Sequence, residues 1–386
     1  MKNNKKRKIL FITERRTDYS RLKPIMEAVQ KSEKLELQLL LTGMHLLKSF
    51  GETKKTVEAD GFKIDAVLPI FKENDKDDAS SMVKGLGRAL LGMPDIFKKM
   101  EPDILFAGFD IGANFAAAIT AMHLNIHVAH LEGGERSGTI DEVIRHAITK
   151  FSHIHFACSA QSAKRIIKLG EDKQHVFNVG VPSIETIRNI KYEDKIDICR
   201  KYRLDPSKKI IIFLQHPVTT EINEVQSQIK KSVEAIKAVN KKHETQSIAI
   251  YSNNDAGGRK IVSFLNQSGL KVFSHILHED FLRLMKVADV LVGNSSSAIH
   301  EAPSFGLPAV NIGSRQQFRE RGCNIIDAGN NQPQIVVAIE KALFDELFLK
   351  KVRRCQNPYY QPDSVKKIIK ILETIKLPSI QKVIKY

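Results

Sequence analysis

Four carboxylates lie close together in one short segment of the chain, and carboxylates are among the side chains that give protons to substrates or remove them. The segment covers residues 130–150 and reads HLEGGERSGTIDEVIRHAITK. Glycines separate the acidic residues and a basic pair follows; the positions of interest are Glu132, Glu135, Asp141, Glu142, Arg145 and His146. This order predicts a ligand-binding loop that leads into a helix.

Two predicted strands end beside carboxylates. Glu132 follows a strand predicted at 127–130, and Asp110 follows one predicted at 104–107. Because the carboxyl ends of parallel strands open onto one crevice, we expect both side chains to converge with Asp141. Three carboxylates facing a phosphate-binding cleft predict general acid/base chemistry on a nucleotide-linked substrate.

The helix after the glycines has its own start signal. Thr139 and Glu142 have the spacing of a capping box, with Thr139 as the N-cap. Asp141 and Arg145 are four residues apart, which predicts a side-chain pair. The glycines allow positive φ or close approach of a ligand. The apolar face is predicted at Val143, Ile144, Ala147, Ile148 and Phe151.

Arginines follow the first predicted strand. Arg15, Arg16 and Arg21 cluster where a helix is expected to begin. A helix N-terminus favours anions, and added guanidinium groups make a phosphate site the functional interpretation. An exposed arginine cluster is the alternative.

Polar loops recur at strand ends in the second half. Three serines at 295–297 offer hydroxyl and backbone N–H groups, and the Glu301 carboxylate suits a ribose diol; a serine-rich N-cap with a surface glutamate is the alternative. His216 follows a predicted strand and precedes a proline, where a structural and a catalytic role are equally consistent. The next loop reads YSNNDAGGR and contains Asn253.

Composition limits the other classes of function. The 386-residue chain carries a net charge of +16, but its lysines are scattered without interleaved aromatics, so we expect a solvated surface and no nucleic-acid partner. No apolar run approaches the roughly 20 residues that cross a bilayer, and no signal peptide precedes the first strand. We expect no membrane partner and a cytoplasmic protein. The four cysteines are far apart, which argues against a metal site or a disulfide framework.

Short apolar runs alternate with amphipathic segments, which predicts an α/β protein with parallel sheets. Two consecutive series of such units indicate two Rossmann-like, doubly wound domains facing a cleft. We expect an N-terminal domain at 1–185, a C-terminal domain at 186–361, and a C-terminal helix at 362–386 that packs back toward the first domain. The strands are predicted at 9–13, 35–41, 64–68, 104–107, 127–130 and 154–157, then at 210–214, 247–251, 271–273, 290–292, 309–312 and 324–326.

The motif at 130–150 closely resembles the hydrolysing UDP-N-acetylglucosamine 2-epimerases of sialic-acid and legionaminic-acid pathways. Further matches, in family order, are RTDYSRLKP, LTGMHL, QHPVTT, NNDAG and GNSSSAIHEAPSFGLPAVNIGSRQ. The resemblance implies a glycosyltransferase-B type fold, a homodimer or a tetramer, and a UDP-sugar substrate without a metal or other cofactor. It also implies anti elimination of UDP followed by hydration of the glycal, which yields a free sugar inverted at C2.

The same resemblance assigns roles to residues. Four positions match catalytic residues of the family: Asp110, Glu132, Asp141 and His216, the last expected to stabilise departing UDP when protonated. The substrate-binding positions are Arg16, Arg21, His45, Arg145, His146, Asn253, Ser295, Ser296, Glu301 and Arg315. Arg145 and His146 are expected to orient Asp141 or to line the sugar site.

Three positions depart from the family pattern. Ile111 and Met44 stand where many relatives carry arginine and glutamine, and Glu14 adds a carboxylate near the phosphate site. Ile111 and Glu14 predict a shift in the accepted sugar or nucleotide, for example to a 4-acetamido-4,6-dideoxy sugar. Met44 argues against the non-hydrolysing epimerases, which usually carry glutamine there. The alternatives are a non-hydrolysing UDP-N-acetylglucosamine 2-epimerase, a glycosyltransferase of the same fold, and a binding protein without catalysis.

Overall fold

The first parallel sheet is built from short runs of buried apolar residues. The computed structural model describes residues 5–385. The strand order of this sheet is β3-β2-β1-β4-β5-β6-β7. Its strands are β1 (Arg7–Thr13), β2 (Leu35–Thr42), β3 (Ala66–Leu68), β4 (Ile104–Gly108), β5 (His127–Leu131), β6 (Ile154–Ala157) and β7 (Val176–Asn178).

The second sheet repeats this construction with the order β10-β9-β8-β11-β12-β13. Every strand pair in both sheets is parallel, as expected where helical crossovers cover both faces. Its strands are β8 (Ile210–Leu214), β9 (Gln246–Ile250), β10 (Lys271–Phe273), β11 (Val290–Gly293), β12 (Ala309–Ile312) and β13 (Ile325–Ala328).

Helices connect the strands of each sheet. In the first half they are α1 (Arg16–Lys31), α2 (Lys54–Ala59), α3 (Ala79–Met100), α4 (Gly112–His123), α5 (Asp141–Phe151), α6 (Ala160–Lys168) and α7 (Ser183–Asn189). In the second they are α8 (Lys195–Lys201), α9 (Val225–His243), α10 (Gly258–Gln267), α11 (His278–Val287), α12 (Ser297–His300), α13 (Gln332–Phe344), α14 (Glu346–Arg353) and α15 (Ser364–Thr374). No helix among residues 5–385 has the length and apolar character needed to cross a membrane; a cytoplasmic location stays a prediction.

The predicted strands are confirmed, with ends that differ by one or two residues. The strand β7 was not predicted; it has only three half-buried residues, too few for a clear alternation. Helix α1 begins at Arg16, so the arginine cluster lies inside its first turns.

The strand order reverses between β1 and β4 in the first sheet and between β8 and β11 in the second. Ligands of doubly wound sheets bind beyond the carboxyl ends of the strands at such points. The register supports this geometry, because Gly108 on β4 pairs with Leu131 on β5. Asp110 and Glu132 therefore follow neighbouring strand ends.

The final helix packs against the first sheet's domain. Ile368 and Leu372 on α15 are fully buried in the core that also holds residues of α1. Arg7 donates to the carbonyl oxygens of Leu372 at 2.5 Å and of Ile375 at 3.1 Å. Helix α7 instead contributes Ile184 to the core of the second sheet. The domain boundaries near 185 and 361 stay predictions.

Candidate active site

A cleft of about 740 Å³ lies between the carboxyl ends of the two sheets. Both domains line it, and most of the predicted site residues are among its walls. These are Arg16, Arg21, His45, Asp110, Glu132, Asp141, His216, Asn253, Ser295, Ser296, Glu301 and Arg315. Arg145 and His146 do not line the cleft.

Arg145 contacts a different carboxylate from the one expected. Its guanidinium forms an ion pair with Asp110 and also donates to the backbone oxygen of Glu135 at 3.1 Å. Asp141, one turn earlier on the same helix, faces Arg315 of the second domain at 3.8 Å. The predicted pair of Asp141 and Arg145 is therefore wrong: the buried arginine reaches the neighbouring strand end.

The pKa values of Asp110 and Asp141 are shifted in opposite directions. Burial opposes ionisation of Asp110, but the positive charges of Arg145, Arg319 and Arg315 outweigh it and lower the pKa of Asp110. Burial raises the pKa of Asp141, and the negative charge of Asp110 raises it further. Opposed shifts in neighbouring carboxyl groups are typical of sites that divide acid and base roles.

Glu132 occupies an unusual backbone conformation. Its φ is +66°, in the left-handed region that non-glycine residues rarely adopt, and Phe109 at the neighbouring strand end has φ +69°. Such residues cost about 1–3 kcal/mol and cluster at functional sites. The Glu132 side chain forms an ion pair with Arg21, whose guanidinium carbon lies 4.6 Å from the centre of the Phe109 ring.

Glu135 is held in a buried network between the domains. Its carboxylate pairs with Arg319 and lies 3.3 Å from His300 Nε2, both from the second domain. It also accepts from the hydroxyl groups of Ser162 at 3.2 Å and Tyr359 at 3.5 Å. Although burial opposes its charge, Arg319 and His300 hold the pKa of Glu135 well below its usual range.

Two of the three glycines in the segment 130–150, Gly134 and Gly138, pack closely against protein backbone. A Cβ on Gly134, which has φ +75°, would lie 2.3 Å from the carbonyl oxygen of Ser162. A Cβ on Gly138 would lie 1.8 Å from the carbonyl oxygen of Ser314, in the second domain. The loop therefore needs Gly138 because it packs directly against the other domain.

The predicted capping box does not form. Helix α5 begins at Asp141 with Ile140 as its N-cap, and the Glu142 carboxylate accepts from the backbone N–H of Ser137 at 2.6 Å. Among the five residues of the predicted apolar face, Val143 is 69% exposed. His146 lies 3.7 Å from Glu142, outside the cleft, so its predicted place at the sugar is wrong.

The second domain contributes His216 in a neutral form. Burial, followed by the positive charge of Arg315, lowers the pKa of His216 to about 3. Its Nδ1 accepts from the backbone N–H of Asn253 at 3.4 Å, which leaves the ring proton on Nε2. This lowered pKa disfavours the protonated form that the sequence predicts, although the neutral ring can still donate a hydrogen bond. The role of His216 stays a prediction.

Glu301 is prepared for a ligand contact. The residue is 4% exposed, and its Oε2 has no hydrogen-bond partner among the described residues. A buried oxygen without a partner is costly, which favours a ligand hydroxyl at this position. Ser295 lies beside it, with its hydroxyl 3.3 Å from the N–H of Ser297 at the start of α12. Ser295 and Glu301 both line the cleft, so hydroxyl groups and a carboxylate are available to one ligand.

Arg15 and Arg16 of the first domain both contact residues of the second domain. Arg15 pairs with Asp255 at 3.3 Å, and Arg16 donates to the carbonyl oxygen of Ser274 at 3.1 Å. The neighbouring Glu14 accepts from the N–H of Ala113 at the start of α4 at 2.9 Å. The extra carboxylate is therefore satisfied by protein groups.

The ring of His45 is held on both sides by protein groups. Its Nε2 lies 2.9 Å from Thr13 Oγ1, and its Nδ1 lies 2.7 Å from Thr53 Oγ1. Burial and the charge of Arg16 lower its pKa to about 3. His45 therefore lines the cleft as a neutral ring that supports its wall.

Sequence reasoning did not identify three of the site's charged or polar residues. Arg319 and His300 meet Glu135 across separations of 184 and 165 residues, and Asp255 meets Arg15 across 240. The available signals were weak: Arg319 follows Arg315 by four residues, and His300 precedes Glu301. No local spacing connects these positions with the acidic segment.

Two facing Rossmann-like domains with carboxylates on one wall and hydroxyl and cationic groups on the other define a class of enzymes that act on nucleotide-linked substrates. The chain belongs to the UDP-N-acetylglucosamine 2-epimerase family, which matches residues 27–373.

Individual relatives cover nearly the whole chain. It is 36% identical to a UDP-N,N'-diacetylbacillosamine 2-epimerase (hydrolyzing) from Legionella pneumophila, over 97% of both chains. It is 33% identical to a GDP/UDP-N,N'-diacetylbacillosamine 2-epimerase (hydrolyzing) from Campylobacter jejuni, over 84% of this chain and 85% of the relative.

The fold is similar to that of a UDP-GlcNAc 2-epimerase from Neisseria meningitidis, whose crystal structure shows that enzyme bound to UDP-GlcNAc. The TM-score is 0.81 at 19% identity, over 95% of this chain and 99% of the other. The predicted glycosyltransferase-B type fold is confirmed.

Replacing Glu135 with glutamine tests the buried network. Because breaking a buried ion pair leaves an uncompensated charge, we expect Glu135→Gln to lower the free energy of unfolding by about 3–5 kcal/mol at pH 7, measured by urea denaturation. The folded protein keeps Glu135 ionised below the ordinary pKa of 4.5, whereas the unfolded chain takes up a proton there. Wild-type stability should therefore fall with pH below 4.5 more steeply than that of the variant, by about 1.4 kcal/mol per pH unit.

Glu234→Gln is the matched control, since Glu234 forms an exposed pair with Lys230 at 3.9 Å. We expect this change to alter stability by less than about 1 kcal/mol. Equal pH slopes for wild-type protein and Glu135→Gln would contradict the assignment of a buried, ionised Glu135.

Proposed function

We propose that the protein is a hydrolysing nucleotide-sugar 2-epimerase that converts a UDP-linked 2-acetamido sugar into UDP and a free sugar inverted at C2. The observation that carries this proposal is the convergence of Asp110, Glu132 and Asp141 on one wall of the cleft. Opposite them, the second domain presents Arg315 and Glu301, whose Oε2 has no hydrogen-bond partner within residues 5–385. In a UDP-sugar, the diphosphate carries the negative charge that suits Arg315, and the ribose hydroxyl groups can donate to Glu301.

The proposed reaction has two steps. A carboxylate removes the proton from sugar C2, the C–H electron pair forms the C1–C2 double bond, and the C1–O bond breaks as UDP leaves with its electron pair. Water then adds to the glycal: its oxygen bonds to C1, one of its protons passes to a carboxylate, and a proton is delivered to C2 from the face opposite to the one that was deprotonated. Carboxylates near the sugar stabilise the positive character that develops there, and cations stabilise the leaving diphosphate.

The opposed pKa shifts support a division of labour between the carboxylates. Asp141, with its raised pKa, is the better proton acceptor of the two and is assigned the proton transfer at C2. Asp110 stays ionised beside Arg145 and stabilises charge at the sugar. His216 donates a hydrogen bond from neutral Nε2 to the departing diphosphate, and Arg315 supplies the positive charge.

We further propose UDP-N,N'-diacetylbacillosamine as the preferred substrate, with UDP-N-acetylglucosamine as the second candidate. The Legionella pneumophila relative named for the former is similar over nearly the full length. The cleft lining includes two apolar side chains, Ile111, which follows Asp110 in the chain, and Met44, and these are 7% and 3% exposed. Apolar walls favour a 6-deoxy sugar, because a hydroxyl group buried there would lack a partner.

A panel of UDP- and GDP-linked sugars, followed by NMR, tests the reaction and the substrate together. We expect UDP and a free sugar inverted at C2 to appear at equal rates, fastest from UDP-N,N'-diacetylbacillosamine. An inverted sugar that remains attached to UDP would identify a non-hydrolysing epimerase. Transfer that requires an acceptor would identify a glycosyltransferase. Either result overturns the proposal.

Asp141→Asn tests the role of the Asp141 carboxyl group, whose pKa is raised. An amide cannot accept the C2 proton, so we expect sugar release to fall below detection while calorimetry shows UDP binding unchanged. Asp197→Asn is the control, because Asp197 is an exposed residue of α8 whose only side-chain partner among residues 5–385 is Arg200. Sugar release at the wild-type rate from Asp141→Asn would exclude Asp141 from the chemistry.

We also propose a homodimer formed through α3. Val83 and Leu91 are 68% and 83% exposed on one side of this helix, and Gly87 lies between them with open space beside it. Exposed apolar stripes of this kind mark association surfaces. We expect a dimer by light scattering, and a monomer for Leu91→Glu; Leu347→Glu, at an 80% exposed site on α14, should keep the wild-type mass. A monomeric wild-type protein would contradict the proposal.

A further inference from the structure

His300 lies at the centre of the contacts that join the two walls of the cleft. It ends the short helix α12 of the second domain and is fully buried. Its Nδ1 is 2.8 Å from Arg21 Nη2 of the first domain, and its Nε2 is 3.3 Å from Glu135 Oε2. One imidazole therefore touches two groups of the opposite domain through two different ring atoms.

Each ring nitrogen of His300 lies against an arginine. Arg21 Nη2 is 2.8 Å from Nδ1, and Arg319 Nη1 is 3.0 Å from Nε2. A guanidinium has only N–H donors, so it can donate only to the ring nitrogen that lacks the proton. With the ring proton on Nε2, donated to Glu135 at 3.3 Å, Nδ1 accepts from Arg21. This is the tautomer required for a hydrogen bond between Arg21 and His300.

Arg21 transmits this orientation to a catalytic candidate. The same Nη2 atom that donates to His300 also donates to Glu132. The guanidinium is further restrained by its stacking on Phe109, 4.6 Å from the ring centre. The direction in which Arg21 holds Glu132 therefore depends on an acceptor from the other domain.

We propose that His300 is a positioning residue that orients Glu132 through Arg21 and makes this orientation depend on contact between the two domains. The inference rests on the proposed function and extends it. His300 is next to Glu301 in the chain, whose unpartnered oxygen is assigned to the nucleotide. Nucleotide binding at residues 295–301 therefore affects the orientation of Glu132 through His300.

Substitutions that keep only one of the two ring contacts test the relay, which is the chain of contacts from His300 through Arg21 to Glu132. The side-chain amide of asparagine occupies the place of Nδ1 and can accept from Arg21, whereas that of glutamine occupies the place of Nε2 and can reach only Glu135. We expect kcat to fall about 10²-fold in His300→Gln and His300→Leu, because small misplacements of a reacting group have effects of this size. His300→Asn should recover most of this loss. KM and the Kd for UDP, measured by calorimetry, should stay at their wild-type values in all three.

His123→Asn, an exposed change on α4, is the control and should keep wild-type kcat. Thermal unfolding of each variant separates loss of fold from loss of positioning, and Glu135→Gln provides a second variant that disturbs His300 from the other side. Wild-type kcat in His300→Leu, a parallel rise in the Kd for UDP, or equal rates for the asparagine and glutamine variants would overturn the relay. If the wild-type protein releases no UDP from any sugar, the proposed function is wrong and the relay is rejected with it.

Discussion

The buried contact between Glu135 and Arg319 constrains the rest of the site. Both groups are almost fully removed from water, and each would carry an uncompensated buried charge without the other. Because one belongs to each domain, this pair specifies how the two Rossmann-like domains meet. Gly138 packing against Ser314 adds a steric requirement at the same junction. The cleft between the domains therefore has a defined width and a defined set of facing residues.

The charges of the cleft follow from this arrangement. The first sheet delivers carboxylates at its strand ends, and arginines of the second domain enter from the opposite side. Arg315 and Arg319 help to lower the pKa of Asp110, while Asp110 helps to raise that of Asp141. Two carboxyl groups of similar intrinsic acidity thus acquire pKa values that are shifted in opposite directions. The left-handed backbone at Glu132 is maintained at the same junction.

Much of the architecture could be predicted from local patterns. Buried strands read as short apolar runs, and polar residues directly after them could be placed at one edge of each sheet. Asp110, Glu132 and His216 could be predicted to line the cleft for this reason. Predictions that rested on spacing along helix α5 were less successful. Arg145 was expected to pair with Asp141 but contacts Asp110, because a long buried side chain pairs with the carboxylate that the tertiary fold brings nearest, and not with the one closest in sequence.

The sequence by itself determined the strands other than β7, the doubly wound fold and most of the polar residues at the strand ends, since hydrophobic periodicity and chain direction are local properties. Only the tertiary structure decided which charges meet. His300 and Glu135 are separated by 165 residues, and no pattern in the chain connects them. Burial and the charge of Arg315 lower the pKa of His216, and neither is visible in its neighbours along the chain. Electrostatic roles depend on distance and solvent exclusion, and both exist only after the domains have packed together.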